Sequence, residues 1–298
     1  MIARLMKISI AVLIAALAGP AQQSPPPAKL VPVAGPLYMV SGNGGNIGVV
    51  ADEAGLLMID AQFEGTANAV REAIKPLPGS GRVRLLVNTH WHSDHTDGNK
   101  AFGAGAAIIA HENVRALLAK DQVIFGNETE ALPAAALPDV TFADKLTVYA
   151  GGQAVRLVHF PRAHTDGDTV AFFDGLKAVH MGDMFFNGTF PFMDVDHGAD
   201  VVSWARDLDQ ILPGLPAEAK IIPGHGPLAG VAELKAFRDM LVASAEFVRG
   251  LIKAGKTLED VKATPLPAGL QPWAKGFMNG PRWLELVYRS LTGPRGTP

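Results

Sequence analysis

Within six residues, His90-Trp91-His92-Ser93-Asp94-His95, this chain sets three imidazoles and one carboxylate. The cluster follows the apolar run Val83 to Val87, which reads as a buried strand. A turn at a strand end aims alternate side chains at one point, so His90 and His92 can share one cation. Asp94 and His95 then lie close enough to reach a second. Neutral imidazole with carboxylate is a borderline-soft donor set that suits zinc, with iron or manganese also accommodated. Clustered His and Asp at ligand spacing is a specific signal where a lone histidine is weak.

Three later positions extend the set. His164 sits in the polar turn Pro161 to Asp168, Asp183 follows Met181-Gly182 at the end of an apolar strand, and His225 sits in Pro223-Gly224-His225-Gly226 after the short strand Lys220 to Ile222. All three are strand-end loops, where scaffolds collect functional side chains. Each is weak alone. Together with the opening cluster they point to a metal centre in a groove to which both halves of the chain contribute.

The surrounding pattern is α/β. Strands are expected at Leu37 to Val40, Gly48 to Ala51, Leu56 to Ile59, Arg82 to Asn88 and Ala106 to Ala110. A second half repeats the style at Lys145 to Ala150, Ala154 to Phe160, Thr169 to Phe173, Ala178 to Met181 and Lys220 to Ile222. Helical spacing marks Glu64 to Leu77, Glu112 to Ala119, Val201 to Leu212 and Glu233 to Lys253, while Leu258 to Lys262 and Trp283 to Leu291 read as surface packing. Asp121 to Asp144 has Pro133, Pro138 and no clean period, and reads as a loop or cover segment. Two sheets face to face with helices outside are the expected arrangement.

The first 23 residues read as a signal peptide: Arg4 and Lys7, then the apolar Ile8 to Leu17, then Ala16-Leu17-Ala18 as a cleavage site. Ten apolar residues are too few to span a bilayer. The expectation is export to a periplasm or secretion, with no membrane attachment after cleavage. Residues 24–36, opening on Ser24-Pro-Pro-Pro27, form a stiff lead-in, and 37–298 a single domain whose residues 256–298 are a helical extension. With 26 Lys and Arg against 29 Asp and Glu, net charge −3, there is no basic footprint for nucleic acid, so the partner is a small-molecule substrate. Cysteine is absent, which excludes disulfides, thiolate ligands and a cysteine nucleophile.

The ordered set His90-x-His92-x-Asp94-His95, His164, Asp183 and His225 resembles the metallo-β-lactamase superfamily, over roughly Leu37 to Gly230. The resemblance implies a four-layer αββα sandwich and two zinc ions per chain sharing a hydroxide. It implies that His90, His92 and His164 hold the first ion, that Asp94, His95 and His225 hold the second, and that Asp183 bridges them. It further implies that Asp94 acts as orienter and proton shuttle, the one catalytic assignment. Thr89, Asp60, Asp166 and Asp168 are candidates to hold ligand imidazoles, with an ordinary turn role favoured for Asp166 and Asp168.

Substrate is not settled by such a fold. Export sets the enzyme where β-lactam antibiotics act, so ring opening of a β-lactam, with antibiotic resistance as its consequence, is the first expectation. A lactone or thioester hydrolase of glyoxalase type is the alternative, an iron-dependent persulfide dioxygenase a further one, and a non-catalytic metal-binding protein the last. The chain departs from one β-lactamase subclass, which has cysteine in the Asp183 slot and lysine three residues later, where Phe186 stands here. Arg162 is the candidate to replace that lysine. Phe185, Phe186, Phe190, Phe192 and Met193 suggest an apolar wall beside the metals or ordinary core, with Asn187 as a polar contact and Trp91 as the opposite wall. His111, His159 and His180 read as structural, and His197 as a residue that can line the groove.

Overall fold

The computed structural model describes residues 27–124 and 126–293; the expected signal peptide and the first residues of the lead-in lie outside them. The first sheet holds β1 (Lys29–Ala34), β2 (Leu37–Ser41), β3 (Ile47–Val50), β4 (Leu56–Ile59), β5 (Val83–Val87) and β6 (Ala107–His111). A separate hairpin, β7 (Gln122–Ile124) and β8 (Asn127–Thr129), follows, and β9 (Val140–Phe142) returns to the sheet beside β6. The second sheet is β10 (Lys145–Ala150), β11 (Gln153–Phe160), β12 (Asp168–Phe173), β13 (Ala178–His180) and β14 (Lys220–Ile222), in that spatial order. Neighbours are antiparallel from β1 to β4 and from β10 to β13, and parallel where helices intervene: β4–β5, β5–β6, β6–β9 and β13–β14.

Apolar runs rather than alternating patterns mark these strands because both faces of each sheet are covered. Leu57 and Ile59 of β4 join Val155, Leu157, Ala171 and Phe173 between the sheets. Leu56 and Met58 point the other way, onto Val70 and Ile74 of helix α1 (Ala67–Ile74). Short helices α2 (Ser93–Thr96) and α3 (Asn99–Phe102) and helix α4 (Glu112–Leu118) complete the first half. Over the outer face of the second sheet lie α5 (Val201–Ile211), α6 (Val231–Lys253), α7 (Leu258–Ala263) and α8 (Gly280–Thr292), with Val170, Val179 and Ile221 beneath them. The fold is therefore the expected αββα sandwich. No helix among the described residues is long and apolar enough to cross a membrane.

Three expectations are corrected. Residues 29–34, taken as lead-in, form edge strand β1 on β2; Leu30 to Val33 keep enough apolar character to pair, and Pro32 is tolerated because the edge leaves one side free. The segment 121–144 is a hairpin plus strand β9, not a loop; three-residue strands are too short to display a period. The C-terminal helices are core: Trp283 is fully buried, stacks on Phe190 at 5.3 Å and donates its indole N–H to Ser244 at 2.9 Å.

Asp207, on α5, is 6% exposed, and burial raises its carboxyl pKa to about 6, only partly offset by Arg206. The folded value exceeds the unfolded one, so the penalty is absent below pH 4 and grows as pH rises through 6. It reaches about 2–3 kcal/mol at pH 8. Asp207→Asn should raise the unfolding free energy in urea by about 2 kcal/mol at pH 8 and change little at pH 4. An equal effect at both pH values would exclude the charge as the cause.

Candidate metal centre

Strand β5 ends at Val87, and the chain then turns through Asn88 and Thr89 to present His90 and His92 before α2 begins. Thr89 is fixed by Asp60, the residue after β4: Asp60 accepts the Thr89 N–H at 2.7 Å and its hydroxyl at 2.8 Å. Asp60 itself sits at φ 65°, a left-handed conformation uncommon outside glycine and found where structure is held for function. The turn holding His164 is fixed by Asp168, which accepts the N–H groups of His164 and Thr165 and the Thr165 hydroxyl. Asp168 thus organises a ligand-bearing turn, more than the simple turn role expected of it. Asp166 instead offers its carbonyl to Asn113, away from the ligands.

All seven anticipated side chains converge. His90, His92, His164 and Asp183 form one group and Asp94, His95 and His225 another, with the donor atoms of each group within 4.8 Å of one another. Asp183 lies between: one carboxylate oxygen is 3.0 Å from His95 Nε2, and the other 3.4 Å from both His164 Nε2 and His225 Nε2. Asp94 reaches His225 Nε2 at 3.2 Å.

The remaining ring nitrogens show why these imidazoles face inward with lone pairs. His90 Nδ1 meets Thr89 Oγ1 at 2.9 Å, His164 Nδ1 the Phe192 carbonyl at 2.8 Å, and His95 Nδ1 the Asp60 carboxylate at 2.7 Å. His92 Nε2 meets the Asp194 carboxylate at 3.0 Å. Each partner takes a ring N–H; for His90, His92 and His164 this fixes the tautomer and leaves the opposite nitrogen bare, whereas His95 also faces Asp183 through Nε2. His92 Nδ1 and His164 Nε2 then confront each other at 2.9 Å, lone pair to lone pair, and buried His90 Nε2 makes no hydrogen bond. Two facing lone pairs in a buried pocket repel unless a cation lies between them. The donor set therefore fits divalent metal.

Electrostatics agree. Burial disfavours charge on His225, but the Asp183 and Asp94 carboxylates outweigh it and push its pKa up to about 9. Burial would likewise raise Asp94, yet the charges of His95 and His225 pull it down to about 2. His164 is held at about 4, chiefly by burial. Without metal, protons on His95 and His225 balance the carboxylates.

Two glycines admit this crowding. A Cβ at Gly45 would fall 2.0 Å from the His95 ring, and one at Gly224 would fall 2.0 Å from an Asp183 carboxylate oxygen. Gly45 was not singled out in the sequence. Neither was Asp194, 102 residues from the His92 it orients and also a partner of His197. The signal in the sequence is an aspartate that directly follows the apolar run Phe190 to Met193.

A cavity of about 440 Å³ opens over Asp94, Asp183 and His225. Phe63, Ile124, Phe186, Phe190, Phe192 and Phe277 form its apolar walls, and Phe186 stacks on His225 at 4.9 Å. The aromatic run thus divides: Phe186, Phe190 and Phe192 face the cavity, while Phe185 and Met193 are core. Trp91 is not the opposite wall; it is buried with Ala110, Val114 and Leu118. Asn187 is committed to the Pro227 carbonyl, and Arg162 lines a different groove, beside Asp166 and Asp200. No lysine or arginine lines the metal cavity among the described residues.

The profile of the metallo-β-lactamase superfamily matches residues 40–225. The chain belongs to that superfamily. No curated protein matches it significantly in sequence. Among solved structures, it is similar to the inverting sec-alkylsulfatase Pisa1 from Pseudomonas sp. (TM-score 0.67, 19% identity), covering 89% of this chain and 50% of that one. It is also similar to a metallo-β-lactamase from Pontibacter korlensis (TM-score 0.59, 20% identity, 72% of this chain and 98% of that one) and to the DIM-1 metallo-β-lactamase (0.60, 18%, 74% and 99%). The chain spans about half the length of the alkylsulfatase, and at these identities the likeness is one of fold.

Proposed function

We propose that this chain is an exported, zinc-dependent hydrolase of a carboxylic ester or lactone with an apolar acyl group. His90, His92 and His164 would hold one cation, Asp94, His95 and His225 a second, with Asp183 shared. The observation that carries the metal reading is the opposed lone pairs of His92 and His164. The observation that favours an ester over a β-lactam is the phenylalanine-walled cavity without a lysine or arginine, since β-lactam antibiotics carry a carboxylate that a basic side chain would recognise. The charged, apolar and small-residue succession in residues 1–23 supports export.

A bound cation pair supplies Lewis-acid polarisation of the carbonyl and an activated water at neutral pH. The protein's part is orientation and proton handling. Asp94 lines the cavity with its side chain one-quarter exposed, whereas Asp183 is buried. Asp94 is therefore the carboxylate that meets the reacting water, orients it, and passes its proton to the departing alkoxide. Phe186 and Phe192 pack against the ligand rings and keep bulk water from them.

A second reading, β-lactam hydrolysis, is favoured by two similar folds that are both metallo-β-lactamases. A panel of p-nitrophenyl esters, lactones, a thioester, an alkyl sulfate and a chromogenic cephalosporin, with zinc-loaded and chelated protein, decides between them. Ester turnover that exceeds cephalosporin turnover and stops with chelator is expected. A cephalosporin opened faster than every ester would install the second reading. One iron per chain and no hydrolysis would point to the oxidoreductase alternative.

A further inference from the structure

We propose that the substrate's acyl group is a medium-length, uncharged alkyl chain that leaves the metal cavity beneath the β7–β8 hairpin and ends in a neighbouring cavity of about 580 Å³. This rests on the ester reading above and names its substrate class. The two cavities share Ile124, Phe192 and Phe277 and so adjoin across those three side chains. Beyond them the second cavity adds Val123, Met278 and Leu286 as apolar lining, with Asn127 and Asp194 as polar neighbours. Its far end is charge-balanced: Arg282 and Arg289 stand with Glu285 and Asp196, and Arg289 is paired with Asp196. It therefore offers no net cation to an anionic tail.

Exposure supplies an independent argument. Val123 is 57% and Phe277 69% exposed, two of the five large apolar side chains so exposed among the described residues, and both border this one path. Two exposed apolar side chains on the lining of one cavity offer a surface that a ligand can cover. The occupant we assign is the substrate's own chain rather than a protein segment, because the path begins at Asp94 and His225. Hydrolysis then breaks the acyl carbon–oxygen bond. Water gives its hydroxyl to the acyl carbon and its proton to the leaving alcohol, while the alkyl chain stays in the groove.

The test compares p-nitrophenyl acetate, butanoate, hexanoate and octanoate on zinc-loaded protein, with calorimetric titration of octanoate and butanoate. Each methylene taken from water multiplies kcat/KM by up to about threefold to fourfold. Octanoate ester should therefore exceed acetate by at least about tenfold. Val123→Asp, at an exposed hairpin position that tolerates charge without unfolding, should cut the octanoyl-to-acetyl ratio about tenfold and weaken octanoate binding, whereas Val123→Leu should keep both. A flat length profile with every ester cleaved, or a ratio indifferent to Val123→Asp, overturns the groove and leaves the ester reading standing. Octanoate binding that Val123→Asp weakens, with no ester cleaved, upholds the groove and removes the ester reading. Neither turnover nor binding removes both.

Discussion

If the two donor groups hold two zinc ions as proposed, Asp183→Asn should reduce bound zinc to one ion per chain or fewer and lower kcat/KM by at least about 10³-fold. The side chain keeps its shape in this variant, so the loss isolates its charge. Asp183 is the carboxylate that faces both donor groups, 3.0 Å from His95 and 3.4 Å from His164 and His225. Metal stabilisation of developing charge is worth several kcal/mol, and each 1.4 kcal/mol is a factor of ten. The measurement is elemental analysis beside steady-state kinetics, with circular dichroism to verify folding. Retention of two zinc ions and of activity would show that Asp183 is not shared between the ions.

Gly45→Ala should have an effect of similar size from a single methyl group. Its Cβ would lie 2.0 Å from the His95 ring, and neither partner can withdraw. His95 is fully buried and tied to Asp60, while the Gly45 N–H is bound to the Asp94 carbonyl and its own carbonyl accepts from Gln62. The ring must rotate out of line, and zinc affinity in the Asp94–His95–His225 group should fall by more than about 100-fold, beyond the usual loss of a supporting hydrogen bond. Gly65→Ala is the control, since nothing lies within 4 Å of a Cβ there. Equal zinc affinity in both variants would refute the steric argument.

The parts of this molecule legible in its sequence are those written locally. His90 to His95 sit on one turn, and Lys145 to Ala150 and Lys220 to Ile222 were delimited to the residue because apolar content and flanking turns agreed. What escaped was non-local. Asp194 meets His92 across 102 residues, and Asn46 donates to the carbonyls of Pro223 and Gly226 across 177 and 180. The need for glycine at 45 exists only once His95 has been folded against it. Trp91 and Arg162 depart from expectation for the same reason: a residue type states what a side chain can do, and only the packing decides which cavity it meets. The hairpin at Gln122 to Thr129 was hidden by strand length, and α8 by reading a short amphipathic stretch as outer cover.

Asp60 belongs to both halves of the centre at once. Its carboxylate holds His95 directly and His90 through the Thr89 hydroxyl, so a change at this one position would disturb both donor groups together. Asp194 and the Phe192 carbonyl each hold one ring of the donor groups, His92 and His164, and Asp194 also meets His197. A change in the loop 192–194 would therefore reach one donor group alone, while a change at the end of β4 would reach both.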